Sequence, residues 1–505
     1  MKFRLQILAG VALVPLLCAA PRPALADSPA PSAGPATLTD ALVLAYYNNA
    51  TLQEQRAALR EADENVPAAL SGWRPTVSVQ SAASHYNETQ VLSTRLNGQV
   101  LGSTKSSLSR DTLINSVNAT ENVFNGGKTI DSTRQAKNEV YAARAQLLAT
   151  EQTVFTNVVN SYVAVITDRQ LLTLQQSDEQ VLEQQLKDTQ TQFQVGEITQ
   201  TDVAQAEASV ASSQEQVAVA KGNLAIAREN FRQYVSVYPA DQLAPPQPLL
   251  LPVSDKDAAG QDALLNNPTV VAAQYTNAAD KDAVDVAFSA LLPSIQLQAQ
   301  GFYESNPSSA DSHVIGSAVT GQLTVPIYQG GSEYAAIRQA RAKAQGSFAA
   351  ILDAQRQSYA QATQAWEGLT SSRAAVVSAN AEIKANAVAL DGTEREELVG
   401  TRTTLDVLNA QQLLLNSQVQ QVQNIANLVQ YSYAVAAAIG RLTARDLSLP
   451  VQAYDDERYY DVVALAPAGT GELADAHAGL NPDGSLANAP LPADMTDAPQ
   501  TAPAQ

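Results

Sequence analysis

Charged and hydroxyl side chains with a definite spacing occur at two places in the sequence, 195–207 (VGEITQTDVAQAE) and 399–411 (VGTRTTLDVLNAQ). Each places an aspartate, Asp202 or Asp406, three residues after a threonine, Thr199 or Thr403. That spacing lets the carboxylate and hydroxyl satisfy the free backbone N–H groups of a helix start, near the positive end of its dipole. Arg402 adds a planar cation suited to charge-assisted hydrogen bonds with carboxylates. The chemistry on offer is charge pairing and attraction of cations. No carboxylate is paired with a nucleophile or base, so no enzyme signature emerges. His85, His313 and His477 are too scattered to ligate a metal. The pairs Gly126-Gly127 and Gly330-Gly331 lack the Lys-Ser/Thr of a phosphate loop, and no cofactor is expected.

The two stretches are copies. Gly196 and Gly400 stand 204 positions apart, as do Asp202 and Asp406. Each glycine lies where two long periodic segments meet, as the left-handed residue of a tight turn between helices. One segment runs from about 128 to 195, with Val158, Val165, Leu172, Leu186 and Phe193 on a seven-residue spacing. The returning one carries Val203, Val210, Val217, Leu224 and Phe231. A second pair, about 332–399 and 403–440, has Leu408, Leu415, Val422 and Val429. At the α-helical rise the longer segments reach about 100 Å, so each pair predicts a rod-like antiparallel hairpin. A period of 204 residues is too long for a solenoid and implies two similar halves.

Residues 1–26 read as a secretory signal: Lys2 and Arg4, an apolar run, then Ala24-Leu25-Ala26. Leu17 before Cys18 argues against lipid attachment, and cleavage removes the sole cysteine. It also makes the net charge three units more negative than −19, which argues against a nucleic-acid partner. No later apolar run is long enough for a transmembrane helix. The expected organisation is a linker over 27–36, a first repeat over 37–240, a Pro-rich crossover over 241–256, a second repeat over 257–447 and a disordered acidic Pro/Ala tail over 448–505. Each repeat opens with one helix, 37–70 or 257–291.

Between helices the period changes to two. Strands are expected at 76–86 and 112–124, separated by a long polar loop over 87–110. In the second half Ile295, Leu297 and Ala299 alternate with Gln296, Gln298 and Gln300, and a further strand follows from Ile315 to Ile327. One apolar and one polar face over 11 to 14 residues fit tilted strands crossing an outer membrane. Four strands cannot close a barrel, and their edges cannot be left in lipid, so several chains must pool them. The rival readings are a periplasmic coiled-coil tether without a channel and an exported enzyme with an acid pair.

The duplicated strand–strand–helix–helix order, FNGGK and YQGGS after the two strand pairs, and VGTRTTLDVLNA at the second turn resemble the TolC family of outer-membrane efflux and secretion ducts over about 37–447. The resemblance implies a mainly α fold with membrane β: a homotrimer with a twelve-stranded barrel in outer-membrane lipid and a helical tunnel in the periplasm. It implies a passive duct for drugs or polypeptides, without catalysis, working with a periplasmic adaptor (membrane fusion) protein and an inner-membrane pump of ABC, RND or MFS type. Arg402 then matches an arginine holding the periplasmic end closed, with Thr201 and Asp202 as its partners on the neighbouring chain. Asp406 matches the first of two aspartates ringing the entrance. Glu397 replaces a usual tyrosine, suggesting an added Arg402–Glu397 pair. Asn409 replaces the second aspartate, halving the carboxylates of the ring.

Overall fold

The computed structural model describes residues 34–308 and 311–481. The expected signal, most of the linker and the end of the tail lie outside them.

Helix α1 (Leu38–Asn48) begins at a capping box in which the Asp40 N–H donates to Thr37 Oγ1 at 3.1 Å and the Thr37 N–H to Asp40 Oδ2 at 3.3 Å. The single helix expected over 37–70 is in fact two, because Asn49 ends α1 in an extended conformation and caps α2 (Ala50–Leu70). Its Oδ1 accepts from the Leu52 N–H at 3.2 Å while its Nδ2 donates to the Tyr234 carbonyl at 3.1 Å. The second half breaks the same way. Asn267 caps α6 (Pro268–Phe288) after α5 (Lys256–Asn266), and its Nδ2 donates to the Ala438 carbonyl at 3.0 Å. In both halves one amide ends a helix, starts the next and ties the break to a returning helix.

After a short 3-10 turn come β1 (Thr76–Leu96) and β2 (Gln99–Asn125). These are far longer than expected, and the polar stretch 87–110 is not a loop. It is a continuous hairpin whose two-residue turn is Asn97-Gly98, both with positive φ (48° and 82°), the conformation that matches strand twist. The second half supplies β3 (Ser294–Ser305) and β4 (His313–Thr324). All pair antiparallel in the order β1-β2-β3-β4, so β1 and β4 are the edges.

From the sheet the chain enters α3 (Lys128–Gln194) and returns as α4 (Gln200–Val235); α7 (Ser332–Leu398) and α8 (Thr404–Ala438) repeat this. The two long helices have 67 residues each, about 100 Å. Each starts after two left-handed glycines; a Cβ on Gly126 would sit 2.7 Å from the Ser289 carbonyl oxygen. The heptad stripes are only partly buried within one chain. Val158, Val165, Val210, Val217, Phe231, Leu415 and Val429 are buried, but Phe193 is exposed. Toward the α3 turn the buried positions are Asp178, Leu182 and Thr189 instead. Gln411 Nε2 of α8 donates to Asp178 Oδ1 at 3.0 Å, so a polar contact joins the two hairpins there.

The main core lies where α1, α2, α3, α4 and α8 meet, around Leu42, Tyr46, Leu52, Phe155, Tyr162, Phe231 and Val429. The Tyr162 hydroxyl lies within hydrogen-bonding reach of the Ala36 and Ala244 carbonyls, at 2.9 and 2.8 Å, seating the chain entry and the crossover.

The tail expected to be disordered from 448 onward is docked over 448–481, with two short helices, α9 (Arg458–Val463) and α10 (Glu472–His477). It has a small apolar cluster of its own, Tyr459, Val463 and Ala474, and polar groups tie it to the rest of the chain. The Gln452 and Tyr454 N–H groups donate to the hydroxyls of Tyr47 and Tyr46 at 2.8 and 2.7 Å. Arg144 donates to Glu457 at 3.0 Å, the Tyr459 hydroxyl to Glu64 at 2.8 Å, and Arg74 to the Ala466 carbonyl at 2.8 Å. Arg56, buried, has Tyr46 and Tyr454 rings 4.5 and 5.3 Å from its guanidinium.

Beneath this segment Asp63 is buried and neither carboxylate oxygen has a hydrogen-bond partner. Burial pushes its carboxyl up to about 7; Arg144 and Arg60 oppose this, while Asp456 and Glu64 reinforce it. The native state thus favours the neutral acid more than the unfolded chain does. This contribution is full below the unfolded value of 3.8 and is lost as pH rises through about 7. Asp63→Asn is therefore expected to raise the Tm at pH 8 by a few degrees, on the order of 1–3 kcal/mol, and to leave it unchanged at pH 4. Equal gains at both pH values in thermal unfolding would remove the charge from the explanation.

Candidate functional site at the helical turns

Both α-hairpins end in the same backbone device. The Gly196 N–H donates to the Phe193 carbonyl at 3.0 Å and the Glu197 N–H to the Gln192 carbonyl at 3.0 Å. At the second turn the Gly400 N–H donates to Glu397 and the Thr401 N–H to Glu396, at 2.8 and 2.9 Å. This double closure requires a left-handed residue, supplied by Gly196 (φ 84°) and Gly400 (φ 80°).

Three residues after each glycine, the return helix starts with a capping box. Asp202 Oδ2 accepts from the Thr199 N–H and hydroxyl at 2.9 and 2.7 Å. Asp406 Oδ2 accepts from the same groups of Thr403 at 3.0 and 2.8 Å. Hydrogen bonds from the Thr199 hydroxyl, then its backbone N–H, hold the Asp202 carboxyl below the usual range. For Asp406 the Thr403 backbone bond leads, followed by the hydroxyl and the nearby Arg402 charge. Both groups therefore stay ionised at neutral pH, and the caps weaken only as acid approaches the carboxylate range.

The tips differ in charge. Ile198 occupies the position in the first turn that Arg402 holds in the second. Arg402 is half exposed; its Nε donates to Glu396 Oε2 at 3.0 Å and its Nη1 lies 3.9 Å from Asp406 Oδ1. The expected Arg402–Glu397 pair is not formed. The turn places Thr401 over Glu396, whose carbonyl accepts both the Thr401 N–H and its hydroxyl at 2.9 Å, so the next side chain reaches Glu396 instead. Glu397 Oε1 has no hydrogen-bond partner. Sequence reasoning missed Glu396, although the acidic run Glu394-Arg395-Glu396-Glu397 before the turn marked a charged tip.

Within one chain Asp202 engages its own helix start, and Arg402 engages Glu396 and Asp406. Thr201 and Asn409 are exposed, Asn409 one turn beyond Asp406. The described residues contain no cluster of His, Cys, Asp or Glu suited to a metal.

The sheet has one mainly apolar and one mainly polar face. Val77, Val79, Val117, Ile295, Leu297, Ile315, Val319 and Leu323 lie on one side; Gln80, Ser116, Gln296, Gln298, Gln300, Thr320 and Gln322 lie on the other. Val79, Ile315 and Val319 are each about three-quarters exposed, at 76%, 75% and 75%, an apolar surface unsuited to water. Among the described residues no helix is long and apolar enough to cross a membrane.

Residues 41–236 and 259–441 match the outer membrane efflux protein family. The outer membrane efflux protein BepC of Brucella suis is 34% identical over 432 residues, covering 85% of this chain and 90% of that protein. The outer membrane protein TolC of Escherichia coli is 25% identical over 323 residues, 59% and 63% of the two chains. Two solved structures share the fold at low identity. They are the Campylobacter jejuni CmeC outer membrane channel (18% identity, 85% of this chain and 89% of that one, TM-score 0.71) and the open state of the Neisseria gonorrhoeae MtrE outer membrane channel (17%, 81% and 90%, 0.66). These relatives displace the tether and exported-enzyme readings, and with the match across both halves they establish that the chain belongs to the outer membrane efflux protein family, outer-membrane channels without catalytic activity.

Proposed function

We propose that three copies of this chain pool their strands into one barrel and their hairpins into one tunnel. The tunnel gives drugs, other small molecules or polypeptides a passive way out of the cell. The observation that carries this reading is the open four-stranded sheet, apolar on one face and Gln/Ser/Thr-lined on the other. Three such sheets make a closed wall with lipid outside and water inside, with no edge left unpaired. The exposed flanks of the long helices, including Phe193, would be covered in the same assembly. Membrane fractionation followed by electrophoresis tests it: the expected result is an outer-membrane species that runs as an oligomer until heated. A water-soluble monomer would overturn the assembly.

The tips at Gly196 and Gly400 form the periplasmic entrance of this tunnel. Arg402 is exposed enough to exchange Glu396 for Asp202 and Thr201 of a neighbouring copy. A periplasmic adaptor, coupled to an inner-membrane pump, shifts the entrance open. A few charge-assisted contacts, repeated in each copy, bias such an equilibrium by a few kcal/mol, enough to keep the closed form dominant. Asp406, ionised at neutral pH and repeated around the axis, attracts cations there, with Asn409 contributing dipoles in place of charge.

Arg402→Ser is expected to raise single-channel conductance in planar bilayers; an unchanged conductance would exclude this arginine from the gate. Asp406→Asn is expected to relieve block by multivalent cations added on the periplasmic side. If the block persists at wild-type concentrations, Asp406 serves only as a helix cap.

A further inference from the structure

The two hairpins of the sheet differ in length. β3 and β4 have 12 residues each, while β1 and β2 have 21 and 27. Pairing between β2 and β3 ends at Leu113 with Ser305. At that rim Asn306 Nδ2 donates to the Asp111 carbonyl at 3.0 Å. Beyond it the β1–β2 hairpin continues as a two-stranded ribbon to the Asn97-Gly98 turn, projecting roughly 40 Å at the usual rise per residue. An isolated ribbon of this kind is marginal in water and leaves both edges unpaired.

The register identifies the face that needs a partner, because pairing is unbroken from Thr76 to Thr94. The face that carries Val77, Val79, Leu113 and Val117 in the sheet turns polar past the rim. There it holds His85 with Asp111, Asn87 with Ser109, Thr89 with Ser107, and Ser93 with Ser103, the one apolar side chain among these pairs being Val91, opposite Lys105. The opposite face, polar in the sheet, gains Leu108, Leu92 and Leu96, with the Tyr86 ring 5.3 Å from the Arg110 guanidinium at its base. The leucines and Tyr86 thus sit on the opposite face from the sheet's apolar side chains above the level where β3 and β4 stop, interleaved with Glu88, Gln90, Thr104 and Ser106. Outside the barrel the lipid-side face becomes a wettable exterior, and the leucines lie on the side continuous with the lumen.

We infer that the ribbon over residues 86–110 is an outer collar whose partner is the ribbon of the neighbouring copies, with Leu92, Leu96 and Leu108 packed against their counterparts over the extracellular mouth. This rests on the trimeric reading above. The occupant follows from continuity: β1 and β4 are the edges across which copies would join, so neighbouring ribbons rise from one rim with their leucine faces toward one axis. Leu92 and Leu96 are 64% and 61% exposed in the single chain, and their mutual burial offers the apolar contact the lone ribbon lacks. Such an apolar ring is a second constriction, narrowing the path by poor wetting.

Cysteine cross-linking in intact cells tests the collar, Cys18 being the sequence's one natural thiol and within the expected leader. Leu92→Cys is expected to give covalent oligomers with a short bis-maleimide, whereas Thr89→Cys, on the other face, is not. An oligomer that is heat-sensitive as in wild type but not cross-linked through Leu92→Cys would overturn the collar while leaving the trimer standing. Absence of any oligomer would instead overturn the trimeric reading. In an Arg402→Ser background, the combination Leu92→Ser, Leu96→Ser and Leu108→Ser is expected to raise conductance about twofold further; no rise would overturn the constriction.

Discussion

A strand edge in hydrocarbon leaves backbone N–H and C=O groups without partners, at a cost of several kcal/mol for each group. This chain carries two such edges, on β1 and β4, in a sheet whose outer face is too apolar for water. The rest of the architecture answers to that constraint. A sheet that, on the proposed reading, is completed by other copies cannot also supply the stability of the single chain, and the core lies elsewhere, around Tyr46, Phe155, Tyr162 and Phe231. The long helices, with half-exposed heptad positions and small side chains, likewise keep much of their surface for contacts beyond the chain.

Around that core, duplication is adapted rather than copied. Asn49 and Asn267 break their helices in the same way and tie the breaks to Tyr234 and Ala438. Among the described residues the C-terminal segment docks on the first half, where Arg74, Arg144 and the hydroxyls of Tyr46 and Tyr47 hold it against α1, α2 and α3. Burying Asp63 beneath it leaves a carboxyl that is more comfortable neutral, so this contact loses stability as pH rises toward about 7, whereas the capping aspartates at the turns lose theirs only in the acid range.

At the turns the backbone and the charges do separate jobs. The glycine closures and capping boxes are nearly identical in the two copies and build rigid tips. Only the second tip carries an arginine, and it is half exposed between Glu396 and Asp406. An exposed ion pair is worth little on its own and is readily exchanged. That is the property a reversible closure requires.

The sequence by itself determined the elements that depend on local chemistry. The T-x-x-D caps, the turn glycines and the two periodicities are satisfied within a few residues of where they are written, and the 204-residue offset is read directly from the repeated motifs. Two further features are legible in the sequence: Asn97-Gly98 marks a tight hairpin, and Asn267-Pro268 marks a helix break. Other features depended on distant partners. The C-terminal segment has the composition of a disordered tail, yet its anchors, Tyr46, Glu64 and Arg144, lie more than 300 residues away. Glu396 was chosen over Glu397 by the curvature of one turn, which sequence spacing does not encode. Which heptad residues are buried, and where the sheet narrows from four strands to two, were likewise decided by tertiary packing. Burial and pairing belong to the neighbours of a residue in space, and the linear pattern names only those along the chain.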